Sequence, residues 1–594
     1  MGCCAALSPY CQRSGAAAVA RALCSNPILR EAAFYNRQIV VSIRVRVTIR
    51  TTLLVLAAYG GMLPLYAPAQ SDASATDTRA TSIRQGGRLV LVLPFDNKSG
   101  QSNLNWIGES FPYTLNQRLS SAGFLTISRD DRMYALEHLG LPEEFRPSRA
   151  STIKIAQTLD ADYVIVGSYT VANPGTPQSR IQVEAQVVEI DELRMSEPIR
   201  QANTLPQLYD VENTLAWQVA REMDPHFAVA QQTFLSTAGA VKLSSFENYI
   251  RGILASTPDE RLKRLQAAVA ETPNFSAALL ALGKEQYADR KYEDSAATLA
   301  KVPQNDRLAL EAGFYRGLAR FNIARYAEAQ AAFGFVASRL PLPEVVNDEG
   351  VAASRQGKDG VPQFQQAIAT DPNDADYHFN LAVGLLARSD IAGAIHEVQA
   401  SLKLRADDSE ATELLHRLES LHGSTANLKT VVAADGFDPT TRIRRTWSEA
   451  SFRQAAFQLD QMRAVQMATL APAEKAVQYA QLGGQYLAQG LIPEAEQEFQ
   501  TSLKADPNNA AAHAGLAEVR ERTGAAEDAR KEADASLKLA PNIAAHLVLA
   551  RLELQAGNLA ASAQHVSEAL RLEPKNAAAQ AVKTALAARG QAVP

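Results

Sequence analysis

Nine histidines are the residues of this chain best suited to chemistry. Imidazole can act as acid, base or metal ligand near neutral pH. His378, His513 and His546 each take the same place, position 4, in a repeating pattern. Stacked helical repeats set equivalent residues about 10 Å apart, whereas shared metal ligation works at about 2 Å. The spacing therefore predicts helix-packing residues and no metal site. All four cysteines, Cys3, Cys4, Cys11 and Cys24, fall in the first 24 residues. The rest of the chain has no thiolate nucleophile, no disulfide framework and no Cys-ligated zinc. The sequence contains no nucleophile elbow, phosphate loop or paired-His zinc motif, and nothing singles out a carboxylate pair. The expectation is no catalytic residue, no metal, no cofactor and no enzyme activity.

What positions these histidines is a repeat. Pro507, Pro541 and Pro574 are spaced 34 and 33 residues apart, and Gly490, Gly524 and Gly557 keep the same steps. A period in this range, with helix-type apolar spacing inside each unit, predicts a solenoid of helical hairpins. Small residues belong where two helices cross tightly, and proline ends the second helix. One unit supplies Tyr479, Leu482, Gly483, Tyr486, Ala495, Phe499, Ser502 and Pro507. The next two supply Leu516, Ala517, Ala529, Ala533 and Pro541, then Leu549, Ala550, Ser562, Val566 and Pro574. These units resemble the tetratricopeptide repeat (TPR). The pattern continues upstream with drift, giving about eight units in two blocks, 242–420 and 473–590, with a terminal capping helix at 577–589. Residues 421–472 break the period and read as an irregular insertion or hinge. Arg442, Arg444 and Arg445 there form a small basic cluster, read as a solvated face ahead of an anion site.

The resemblance implies that positions 2, 5, 9, 12 and 13 line a concave groove for protein or peptide partners. In the first block these are Phe314, Leu318 and Phe321, then Phe379, Val383 and Leu386. In the second they include Glu518, Glu521, Arg522, Arg551 and Gln555. One groove is apolar and the other polar. The aromatic stripe reads either as a partner site or as surface buried against a neighbouring segment. A chaperone-type carboxylate clamp needs Lys and Asn at positions 5 and 9; Ala480 and Gly484 stand there in the unit 476–507, against that partner class.

Ahead of the repeats, residues 87–228 predict an α/β domain with a mixed sheet. Leu89–Leu93 is a strand-length apolar run, Asp96–Gly100 is turn chemistry, and Ile107, Phe111, Leu115 and Leu119 keep a step of four. Helices are expected at 130–139, 150–159 and 208–222, and strands at 124–127, 163–166, 181–187 and near 194–203. Leu93–Gly100, Trp106–Glu109 and Ala161–Ser168 resemble the TolB-type amino-terminal domain, which implies service in envelope assemblies or beside cyclase and kinase modules, and no catalysis of its own.

The chain holds 594 residues, room for about three to five domains or fewer if a solenoid absorbs much of it. Arg44, Arg46 and Arg50 precede Leu53–Tyr59 and then Ala67-Pro68-Ala69, the order of a secretory signal. That predicts cleavage after Ala69, a translation start near Val40 to Val47 and a disordered spacer at 70–86. The location implied is periplasmic or secreted, with an uncleaved inner-membrane anchor as the alternative. Without residues 1–69 the chain has 52 basic and 63 acidic residues, a net charge of −11 and no footing for nucleic acid. The fold class is α+β: a mixed-sheet α/β domain, then an all-α TPR superhelix. The function expected is an exported, non-enzymatic scaffold for protein or peptide partners. The alternative is an envelope sensor whose α/β domain binds a small ligand or glycan while the repeats relay it.

Overall fold

The computed structural model describes residues 89–142, 148–236, 239–420, 439 and 442–593. The signal sequence, the spacer, the His422–Ser424 and Gly436–Asp438 loops and the side chain of Phe457 lie outside the described residues. The α/β domain runs β1 (Leu89–Val92), β2 (Asp96–Asn97), α1 (Trp106–Ser121), β3 (Leu125–Thr126), α2 (Arg129–His138), α3 (Arg149–Thr158), β4 (Tyr163–Ala172), β5 (Arg180–Glu189), β6 (Arg194–Met195), β7 (Ile199–Thr204) and α4 (Leu208–Met223). The sheet order is β3-β1-β4-β5-β6, with β2 extending β4's pairing and β7 lying along β5. β1 pairs in parallel with β3 and β4, and β4 is antiparallel to β5, so the sheet is mixed.

Periodicity explains each layer. Ile107, Phe111, Leu115 and Leu119 form the fully buried stripe of α1 on one face of the sheet. Ala135, Leu136, Ile155 and Ala156 of α2 and α3 cover the other face. Along β5, Ile181, Val183 and Ala185 are buried while Gln182 and Glu184 are exposed, the alternation of a strand with one wet face. Phe95 stacks on Phe111 with ring centroids 4.1 Å apart. Two glycines make room for it: a Cβ on Gly108 would lie 2.4 Å from the Phe95 carbonyl oxygen, and one on Gly167 2.3 Å from the ring. The Asp96–Gly100 turn is stitched to the sheet, with Lys98 N–H donating to the Tyr169 carbonyl at 2.8 Å and Val171 N–H to Ser99 Oγ at 2.8 Å.

The repeats are helical hairpins. The first block is α6 (Leu243–Leu254) with α7 (Pro258–Glu271), α8 (Ser276–Ala288) with α9 (Tyr292–Leu299), α10 (Ala309–Asn322) with α11 (Tyr326–Ala337), α12 (Pro343–Ser354) with α13 (Val361–Thr370), and α14 (Ala375–Ala387) with α15 (Ile391–Leu404), followed by α16 (Ser409–Ser420). α5 (Gln231–Ser236) precedes them. After α17 (Glu449–Ala468) come α18 (Pro472–Gln489) with α19 (Ile492–Ala505), α20 (Ala510–Arg522) with α21 (Ala526–Leu539), α22 (Ile543–Ala556) with α23 (Leu559–Leu572), and α24 (Ala577–Ala588). Val582 and Leu586 seat α24 on the last hairpin. Tight crossing explains the small residues: a Cβ on Gly483 would sit 2.7 Å from the Phe499 ring. The position-4 histidines bond across their own hairpins, His378 to Glu397 and His513 to Glu532 at 2.6 Å and His546 to His565 at 3.2 Å. Among the described residues no cluster of His, Cys, Asp or Glu is placed to hold a metal ion, and no helix is long and apolar enough to cross a membrane.

The α/β domain and the first repeats share a core. One buried cluster runs from Val90 through α1 and α4 to Phe246, Tyr249 and Phe275 of the first hairpins. The second block returns to the same place through α5. Ala230 N–H donates to Glu496 at 3.1 Å, Gln232 to the Thr523 carbonyl at 3.0 Å, and Arg520 pairs with the fully buried Glu496 at 2.5 Å. Phe234 of α5 is fully buried, with the Arg118 guanidinium 4.3 Å above its ring.

Candidate peptide groove

Helices α10, α12 and α14 are the first helices of three successive units, and they line the first groove. Taking Gly317, Gly350 and Ala382 as position 8, position 6 is Tyr315, Asp348 and Asn380, 33 and 32 residues apart. Each accepts a backbone N–H from one segment of the same chain. Arg442 N–H donates to Asn380 Oδ1 at 2.6 Å, Arg444 N–H to Asp348 Oδ1 at 2.8 Å, and Trp447 N–H to the Tyr315 hydroxyl at 3.5 Å. The Arg442 carbonyl accepts from Asn380 at 2.7 Å and from Asn347 at 3.0 Å. Residues 442–447 thus run as a strap from the unit of α14 back to that of α10, gripped by backbone once per unit. No helix or strand forms in the strap. The N–H groups of 442 and 444, two residues apart, face the same side, as in an extended chain.

Side chains fix its register. Arg442 donates to Asp408 at 2.6 and 2.9 Å, to Asp376 at 3.0 Å and to Glu410 at 3.2 Å, and its guanidinium lies 3.7 Å from the Phe379 ring centroid. Burial opposes the charge on Arg442, but its hydrogen bonds to Asp408 and Asp376 outweigh burial and hold its pKa above the ordinary value. Burial would likewise raise Asp408; the Arg442 contacts carry it below the usual carboxylate range. Arg444 pairs with Asp374 and lies over the Tyr377 ring. Ile443 inserts beside Phe321, Phe364 and Leu381. Trp447 meets Phe314 edge-on at 5.6 Å and Phe452 at 6.0 Å. Asp348, completely buried, has its pKa pushed well up by desolvation.

The expected groove residues now have definite places. Phe314 and Phe379 are fully buried beneath Trp447 and Arg442. Leu318 shares that core, and Phe321 is partly buried beside Ile443. Val383 and Leu386 pack between units against Leu414 and Leu418 of α16. The stripe is therefore covered by a neighbouring segment, one of the two outcomes its composition allowed. The solvated face expected of Arg442 and Arg444 is corrected: acids at the turns between units draw Arg442 to 16% side-chain exposure, and only Arg445 of the three is exposed. In the second block Glu521 pairs with Arg551 at 2.5 Å and Glu518 with Arg522 at 2.5 Å, so these charges already meet one another; Gln555 is exposed. Position 6 was not among the positions expected to face the groove, although three polar or hydroxyl-bearing residues recurring there were visible in the sequence.

Comparison with known proteins agrees with the repeat. Tetratricopeptide repeat profiles match residues 348–411 and 486–552. No curated protein matches the chain. Among solved structures, MamA from Desulfovibrio magneticus RS-1 is 20% identical, covering 31% of this chain and 100% of that one at a TM-score of 0.25. YrrB, described as a TPR protein with an unusual peptide-binding site, is 12% identical over 34% of this chain and 98% of its own, at a TM-score of 0.25. The TPR2AB domain of yeast Sti1, solved in a pHSP90 complex, is 12% identical over 48% of this chain and 99% of its own, at 0.19. The chain carries tetratricopeptide repeats in both of its helical blocks.

Proposed function

We propose that this protein is an exported, non-enzymatic scaffold that holds partner polypeptides in extended form through its TPR grooves. One observation carries the reading: the first groove grips residues 442–447 by their backbone, through one position-6 side chain in each of three units. Backbone hydrogen bonds give affinity to an extended chain, and flanking pockets give selectivity. Export rests on the signal-like order of residues 44–69. The TolB-type resemblance of 87–228 fits an envelope setting, periplasmic or secreted. The test is site-directed photocrosslinking of the full-length protein in its native cells, with the crosslinker at half-buried Phe321 and at Glu518. Discrete crosslinked polypeptides are expected, and a folded protein that crosslinks to nothing at either groove refutes the scaffold.

A second reading, an envelope sensor, is favoured by one feature. A cavity of about 400 Å³ lies where the α/β domain meets both helical blocks, lined by Arg118, Tyr209, Asn305, Arg307, Glu494 and Arg522. A small polar ligand there would touch all three parts at once. Thermal shift of the intact protein against panels of polar metabolites and glycans checks it, and no shift with any compound removes it.

A further inference from the structure

The strap holds the groove mainly by polar contacts. Arg442 alone meets three carboxylates, and Arg444 meets Asp374. Around them Asp374, Asp376, Asp408 and Glu410 face Arg442, Arg444 and the Arg405 that also pairs with Asp376. These carboxylates sit at the ends of α14 and α16 and belong to the array; the guanidinium groups that satisfy them belong largely to the strap. The apolar part of the grip is Ile443 and Trp447, both only partly buried. Such a contact suits a segment that comes and goes better than it suits a core.

We propose that residues 442–447 are a displaceable intramolecular ligand, and that the partner of this groove is a protein segment of the same chemistry. That segment is extended, with two arginines flanking one apolar residue and an aromatic residue three places after the second arginine. This rests on the scaffold reading and names the partner that the reading leaves open. The strap sets a threshold. A tethered segment competes at an effective concentration of about a millimolar. A free peptide of equal intrinsic affinity is then weakened by the ratio of that concentration to its own Kd, roughly a hundredfold for a Kd of about 10 μM. Partners must therefore match the groove better than the strap, or engage a second surface as well.

The probe is a labelled peptide of residues 439–448, titrated by fluorescence anisotropy into the full-length protein. Arg442→Ala/Arg444→Ala weakens the strap and leaves the groove intact. It is expected to bind the peptide at least tenfold more tightly than the wild type does. Adding Asp408→Ala to that variant, or replacing both arginines of the peptide by alanine, is expected to abolish the gain. Should the double variant fail to fold, Arg444→Ala alone gives a smaller gain of the same sign. A folded variant that binds no better than the wild type overturns the proposal, as does a gain that survives Asp408→Ala. Neither result touches the scaffold reading, which stands or falls on crosslinking at Phe321 and Glu518.

Discussion

Asn380→Ala is the most direct perturbation of the groove. Asn380 is completely buried and is bonded at both ends of its amide. Its oxygen accepts Arg442 N–H at 2.6 Å, and its nitrogen donates to the Arg442 carbonyl and to Asn347, both at 2.7 Å. Alanine leaves the Arg442 N–H without a partner, at about 1–3 kcal/mol for an orphaned buried donor. The Arg442 carbonyl keeps its bond from Asn347 at 3.0 Å, so losing its second donor costs only about 0.5–1.5 kcal/mol. The sum, about 1.5–4.5 kcal/mol, shifts docking of the strap toward the open form by roughly 10- to 1,500-fold. Trypsin reads this directly, because Arg442, Arg444 and Arg445 are its sites and cleavage follows the open population when opening is fast. Cleavage at these three bonds, mapped by mass, should accelerate at least about tenfold while the melting temperature of the body stays near wild type. Asn380→Asp, which keeps the acceptor and loses the donor, should fall between. A folded Asn380→Ala protein cut at these bonds at the wild-type rate would refute the assignment of Asn380 as the strap's clamp.

Four further outcomes can be checked separately. Trp447→Ala removes the edge-on contact with Phe314 and should weaken strap docking by at least about 0.5–1.5 kcal/mol, read as faster tryptic cleavage, with Trp447→Phe restoring most of it. Glu212 is completely buried against Ser110, and burial pushes its pKa up to about 8. The folded state keeps this proton while the unfolded chain releases it near 4.5, so stability falls as pH rises from about 4.5 to 8. Glu212→Gln should raise stability at pH 7 by up to about 3 kcal/mol, from the gap between 4.5 and 7, and add little at pH 4; denaturant melts at both values decide. His546 and His565 are both lowered, by burial first and, for His546, by its partner next. Their contribution is present above about pH 6.5 and lost as pH falls below it toward their lowered values; His565→Glu should reverse that sign, as the hydrogen bond that His378 donates to Glu397 raises His378. Gly515→Ala would place a Cβ 2.2 Å from the Phe499 ring and should cost about 1–3 kcal/mol in thermal unfolding.

Much of the architecture could be read from periodicity, because local contacts dictate it. The step-four stripe of α1, the alternation along β5 and the Gly–Phe crossing of Gly483 with Phe499 each join residues within one element or one hairpin. Two kinds of feature escaped. The strand expected near 194–203 is broken into β6 and β7, since both pair with β5 at different registers. The boundary drawn between the α/β domain and the repeats cuts through a continuous core, because Phe246 and Phe275 of the first hairpins pack on Tyr209 of α4.

The strap escaped for a different reason. In a solenoid each unit touches only its neighbours, so the period encodes contacts between adjacent units and nothing longer. A segment that touches three units at once has to come from outside the period, and 442–447 lies in the stretch where the period fails. Its partners are equally out of pattern: position 6 needs no polar residue for hairpin packing, as Gly515 and Val548 show at that position in the second block. Tyr315, Asp348 and Asn380 make sense only when something with backbone groups lies across them. Arg442 and Arg444 read as a solvated cluster because their acids are 34 to 70 residues upstream, at Asp374, Asp376 and Asp408. The break in the repeat and the polar residues the repeat does not need are one feature seen from both sides, a groove and the segment that fills it.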